Sequence, residues 1–162
     1  MTAADTIEQA NRDSHRRFAA DVWTEHRVEA VPEYVHENCV FYDPTEPRPI
    51  RGREAFARHL REAFAAFPDL RAELHEVLAE DDIVMTHYTL VGTHEGPFGR
   101  IPPTGRRIEL EGMSRVRYAD GRIVEERAFV DTATLRRQLG FGFPTVLRTV
   151  PRLALRAIRD RR

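Results

Sequence analysis

The chain has 162 residues, 41% of them hydrophobic and 31% charged, with a formal net charge of −1. That balance describes one ordinary globular domain and gives no electrostatic case for nucleic acid or an anionic membrane as partner. A single cysteine, Cys39, excludes an intrachain disulfide and a cysteine-based metal cluster.

All 25 basic residues are arginine. No apolar run approaches the roughly 18 residues that a membrane span needs, and the first residues are polar with no apolar signal core. A soluble cytoplasmic protein is expected.

From Asp5 to about Glu25 the apolar positions Ile7, Ala10, Phe18, Val22 and Trp23 follow helical spacing. A short helix is predicted over Val28–Val35, with Pro32 in its first turn where a missing N–H costs little. Cys39–Tyr42 reads as a strand stopped by Asp43-Pro44 and a proline-rich turn. Glu54–Phe67 carries its apolar residues on one side of a third helix, ended by Pro68.

Four strand candidates follow, over Leu70–Leu78, Ile83–Thr93, Ile108–Tyr118 and Ile123–Val130. The last two are joined by Ala119-Asp-Gly-Arg122, a strong hairpin signal. Helices first and consecutive antiparallel strands after them predict an α+β fold. The expected organisation is one domain over residues 1–140, with a basic helical extension over 141–162. The arginine-rich Val146–Arg162 has helical apolar spacing. It suits packing on its own dimer or fraying in solvent, with an anionic surface or carrier protein as the other reading.

Both parities of Ile83–Thr93 are apolar: Val84, Tyr88 and Leu90 on one, Ile83, Met85 and Val91 on the other. An antiparallel strand with one wet face does not look like this. One face therefore lines a pocket or core, and the other is covered by helices or a second subunit, which predicts a homodimer. The seven histidines form no close His-x-His or His-x-x-x-His pair with a nearby acid on a shared face, so no metal site is predicted. Arg115 and Arg117 read as an outer charged ladder with Glu109 and Glu111.

Three segments carry a resemblance: Ala66–Leu70 (AFPDL), Gly92–Arg107 (GTHEGPFGRIPPTGRR), and Asp120–Glu125 (DGRIVE) leading to Asp131 and Arg137–Gly140 (RQLG). In order and spacing the chain resembles, over residues 14 to 140, the SnoaL-like polyketide cyclase family of the nuclear-transport-factor-2-like superfamily. The resemblance implies a cone-shaped α+β barrel, a curved antiparallel sheet with N-terminal helices around one pocket for an apolar polycyclic molecule.

It also implies acid/base chemistry without metal or organic cofactor in aromatic polyketide biosynthesis. Ring closure of the intramolecular aldol type is the default; hydroxylation, dehydration and ketal formation stay open. Many relatives carry a His-Trp pair where this chain has Glu126 and Arg127, and residues 141–162 run past the usual ending. A binding protein of the same fold without chemistry is the alternative. It would show Asp131 exposed and no titratable group inward.

On that resemblance Asp131, at the last strand-to-helix junction, is the expected catalytic acid and base, although an N-cap aspartate is expected there in any case. One carboxylate in an apolar pocket can take a C–H proton and return it to the alkoxide, because desolvation raises its pKa. His87 and Tyr88 are neighbours on a strand, so one of them faces the pocket, the histidine for proton transfer or the tyrosine for a developing oxyanion. His94 is a further catalytic candidate or a brace for the Pro-rich loop 97–104. Arg127, if inward, needs a carboxylate or ligand anion. Phe129, Tyr42 and Trp23 complete the expected substrate contacts.

Overall fold

A computed structural model of the chain describes residues 3–142 and residue 150. The expected extension therefore lies outside the described residues except at its start and at Val150. Helix α1 spans Ala3–Phe18 and runs into a π-helical segment, Ala19–Thr24, that completes the expected first helix. His26 follows with φ 57°, stacks on Phe64 at 3.9 Å and holds the Leu70 carbonyl through Nε2 at 2.6 Å.

A 3-10 turn (Val28–Ala30) and helix α2 (Val31–Tyr34) come next. Strand β1, Val35–Tyr42, begins four residues before the predicted strand, with Val35 and Cys39 fully buried. The two-residue β2, Ile50–Arg51, pairs back on it. Helix α3, Arg53–Ala66, buries Phe56, Ala57, Leu60 and Phe64. Phe56 stacks on Phe41 at 3.7 Å, which ties α3 to β1.

Strands β3 (Arg71–Glu80), β4 (Ile83–Thr93), β5 (Arg107–Ala119) and β6 (Arg122–Val130) form the predicted antiparallel meander. The β5–β6 turn places Asp120 and Gly121 at φ 48° and 72°, the left-handed pair that a two-residue hairpin turn needs. Helix α4, Thr132–Gln138, closes the described fold.

The sheet corrects the all-antiparallel expectation. Its order is β2-β1-β6-β5-β4-β3, and β1 pairs with β6 in parallel. Strand β1 reaches β6 only after α3 and the whole meander, so the pairing is a crossover that no local pattern announces. The sheet is open, with β2 and β3 at its edges.

On β5 burial alternates strictly, Ile108, Leu110, Ser114 and Val116 buried against exposed odd positions. Helices α1 and α3 cover this inner face, and the core runs between the two layers.

Phe56 is 2% exposed and bridges Phe41 and Phe18. Its replacement by Ala is expected to cost about 3–5 kcal/mol in chemical denaturation. A loss below ~1 kcal/mol would mean that the ring is not part of the joint between α3 and β1.

Candidate active site

The helix layer and the inner face of the sheet do not close on each other completely. Between them lies a cavity of about 1140 Å³, counting its open mouth. Phe18, Ala19 and Trp23 form one wall, Phe56, Ala63 and Phe67 a second, and Leu90, Leu110, Ala128 and Val130 the sheet side. Gly112 shapes that side. A Cβ there would stand 2.7 Å from Tyr88 Cε2 and 2.8 Å from Val130 Cγ1, so glycine lets the Tyr88 ring lean across β5.

Into this apolar space project a few polar groups. Glu126, on β6 beside Phe41 of β1, lines the cavity, and its Oε2 is shut off from solvent with no hydrogen-bond partner among the described residues. Burial raises its pKa to about 7; the charge of Asp43 adds to the rise and the Ser114 hydroxyl opposes it. Tyr88 lines the cavity as a neutral phenol, its pKa raised first by burial and then by the negative charges of Glu126 and Asp43. His15 lies 3.1 Å from the Tyr118 hydroxyl, and burial lowers its pKa to about 4, so it is neutral.

At the mouth, His59 of α3 stands between Asp43 (Nε2 to Oδ2, 3.3 Å) and Glu46 (Nδ1 to Oε1, 3.6 Å). Burial disfavours the imidazolium, but the hydrogen bond and charge of Asp43, with Glu46 and Glu62 behind, outweigh it and raise the His59 pKa. Burial likewise opposes ionisation of Asp43, yet the bonds from His59 and from the Thr45 hydroxyl and N–H lower its pKa. With both Asp43 oxygens and both His59 nitrogens engaged, this pair is a charged rim. Glu126 is the carboxyl left free to meet a ligand.

The expected site residues divide by the face they occupy. Tyr88, Tyr42 and Trp23 line the cavity. Asp131 does not: it is exposed at the N-cap of α4, where its carboxylate accepts from the N–H groups of Ala133 (2.9 Å) and Thr134 (3.0 Å) and from the Thr134 hydroxyl. Those bonds, the Thr134 hydroxyl first, lower its pKa, the opposite of what an acid/base role at neutral pH requires.

His87 sits on the outer face between Glu76 (2.6 Å) and Glu111 (2.7 Å), whose hydrogen bonds raise its pKa. His94 is fully buried outside the cavity lining, accepts the Thr104 N–H at 3.3 Å and braces loop 97–104. Phe98 of that loop does reach the cavity. Arg127 is exposed and lies 3.9 Å over the Tyr42 ring; Phe129 is 54% exposed. Arg115 and Arg117 do form an outer ladder, but their partner is Glu125, at 3.5 and 3.9 Å.

A bulge explains the misassigned side chains. The β5–β6 register shifts between Arg117 and Tyr118, so Ile123 is buried inward while the inward set beyond it is Glu126, Ala128 and Val130. Counting by twos from Ile123 without the bulge places Arg127, Phe129 and Asp131 inside. In the sequence Glu126 stands between Glu125 and Arg127, and the one signal that set it apart was its place at the position where the resemblance expects histidine. His59, Asp43, His15, Thr86 and Ser114 carried no such signal. Among the described residues no group of three or more His, Cys, Asp or Glu is placed to hold a metal ion.

Comparison with known proteins fits this geometry. The family model for SnoaL-like polyketide cyclases matches residues 13–139. The chain is 31% identical over 132 residues to aklanonic acid methyl ester cyclase DnrD of Streptomyces peucetius, covering 80% of this chain and 90% of that protein. It is 32% identical over 120 residues to nogalonic acid methyl ester cyclase of Streptomyces nogalater, covering 73% and 89%. The structure of wild-type IdmH from Streptomyces antibioticus superposes with a TM-score of 0.68 at 29% identity, covering 80% of this chain and 98% of that one.

Asparagine caps a helix about as well as aspartate. Asp131→Asn is therefore expected to keep its thermal midpoint and, within about twofold, its turnover. A hundredfold loss of turnover in a folded variant would return Asp131 to the site.

Proposed function

Because this chain belongs to the SnoaL-like polyketide cyclase family, we propose that it closes a ring in an aromatic polyketide ester by intramolecular aldol addition, with Glu126 as the single acid and base. The observation that carries this reading is a solvent-shielded carboxyl with an unpartnered oxygen inside an aromatic-walled cavity. Of the two marks of a binding protein without chemistry, an exposed Asp131 is met, but an interior free of titratable groups is not: Glu126 lines the cavity with a pKa near the working pH.

In the first half-step the Glu126 carboxylate takes a proton from a carbon made acidic by flanking carbonyls, and the C–H pair becomes an enolate. The enolate carbon attacks a ketone carbon of the same molecule. One C–C bond forms, and the C=O π pair moves onto oxygen. The alkoxide then takes the proton from Glu126, which returns to carboxylate, so the product is an isomer of the substrate. The neutral Tyr88 hydroxyl lies on the same cavity surface, where it can donate to the developing oxyanion. The aromatic walls hold the flat ring system so that the two reacting carbons meet.

We infer further that the chain works as a homodimer through the outer face of its sheet. Leu78 faces Met85 across β3–β4, and Met113 faces Phe129 across β5–β6. These four side chains are 66%, 37%, 48% and 54% exposed, an apolar surface on the side away from the cavity. Sedimentation at micromolar concentration is expected to give a dimer, and Met113→Asp with Phe129→Asp a monomer. A wild-type monomer would contradict the inference. Among the described residues no helix is long and apolar enough to cross a membrane.

Glu126→Gln is expected to lower turnover of an aromatic polyketide methyl ester by about 10²–10⁴-fold with the fold intact. Because the carboxylate is the form that takes the proton, wild-type kcat/KM should rise with pH through about 7 and then level. The raised pKa also fixes the sign of the stability effect. Glu126 favours the folded state at low pH and costs stability as pH rises through about 7, so Glu126→Gln should stabilise the protein more at pH 8 than at pH 5. Undiminished turnover in Glu126→Gln would overturn the assignment.

A further inference from the structure

On the inner face of the sheet, Thr86 of β4 and Ser114 of β5 are register partners, each 2% exposed, and both line the cavity. One way along the strands the next row is Val84 and Val116, both fully buried; the other way it is Tyr88 and Gly112, with Leu90 and Leu110 beyond them. The Ser114 hydroxyl is a hydrogen-bonding neighbour of Glu126 and Tyr88. The Thr86 Oγ1 is shut off from solvent and has no hydrogen-bond partner among the described residues.

A buried hydroxyl without a partner costs free energy that valine, of the same shape and strand preference, would avoid. A second unpartnered oxygen, Glu126 Oε2, lies on the next strand. Glu126 faces Val116, two residues along β5 from Ser114. Thr86, Ser114 and Glu126 thus form a polar diagonal across three strands of an apolar wall, with its two ends unsatisfied by the protein.

We propose that Thr86 and Ser114 form an oxygen-binding subsite that makes the cavity select polycyclic ligands carrying a hydroxyl or keto oxygen on the leading ring, over hydrocarbons of the same shape. An oxygen held there presses the adjoining carbons toward Glu126, so the subsite also sets which carbon meets the base. The proposal rests on the cavity being the substrate site described above, but on no catalytic step.

Binding can be read without turnover, because Trp23 is the chain's single tryptophan and lines the cavity. Quenching of its fluorescence would be titrated with 1,8-dihydroxyanthraquinone and with anthracene, for the wild type, Thr86→Val, Thr86→Ser and Ser114→Ala.

The wild type is expected to prefer the hydroxyquinone by about three- to tenfold, the size of one neutral hydrogen bond. Thr86→Val should remove most of that preference by weakening the hydroxyquinone alone, Thr86→Ser should keep it, and Ser114→Ala should reduce it. An unchanged ratio in Thr86→Val, or failure of the wild type to bind the hydroxyquinone, would overturn the subsite. Should Glu126→Gln keep full turnover while the binding ratios behave as expected, the acid/base assignment falls and the subsite stands.

Discussion

A carboxyl group walled by aromatic rings is stable only if it is protonated, paired with a cation or given a ligand, and Glu126 is in that position without an ion pair among the described residues. Its proton affinity is consequently set by the cavity: burial raises it first, the Ser114 hydroxyl opposes, and the negative charge of Asp43 at the rim adds a smaller rise. Much of the surrounding architecture maintains that condition. The Phe41–Phe56 stack ties α3 to the strand beside Glu126, and the π-helical segment carries Ala19 and Trp23 into the cavity wall. The rim carries its own cation, His59, between Asp43 and Glu46, while the deeper acid has no such partner.

The parallel pairing of β1 with β6 is what brings these parts together. It sets Phe41 opposite Glu126 and Tyr42 opposite Arg127, so one strand pair supplies two aromatic rings to the cavity lining, the second of them under the exposed Arg127 guanidinium in a cation–π contact. The meander then sorts its side chains by parity. Even positions of β4 and β5 form the cavity surface; odd positions carry the His87 cluster with Glu76 and Glu111, and the apolar patch around Met113. Two environments with opposite demands sit one residue apart along each strand.

The meander and the helices were legible because their signals are local. Alternation, the Asp120-Gly121 turn and the helical spacing of Phe56, Leu60 and Phe64 each act within a few residues. The family and the pocket were legible from the Gly92–Arg107 block, and Trp23, Tyr42 and Tyr88 follow from that frame. The acid was not. Its placement depends on one bulged residue in β6, which shifts the inward set from the parity of Arg127, Phe129 and Asp131 to that of Glu126, Ala128 and Val130. A bulge leaves no fixed mark in composition. Asp131 satisfied a second rule equally well, the N-cap, and that rule decided its position. The rim pair of Asp43 and His59 joins a strand end to a helix across a turn, a contact that no spacing in the chain encodes.

The most direct test is an infrared titration of the Glu126 carboxyl, taken as the difference between wild type and Glu126→Gln across pH 4 to 9. If the cavity makes Glu126 its acid and base, the band of the protonated carboxyl persists at pH 6 and disappears with a midpoint near 7. A midpoint at the ordinary glutamate value of about 4.3 would mean that the group is solvated in solution and that the cavity does not hold its proton.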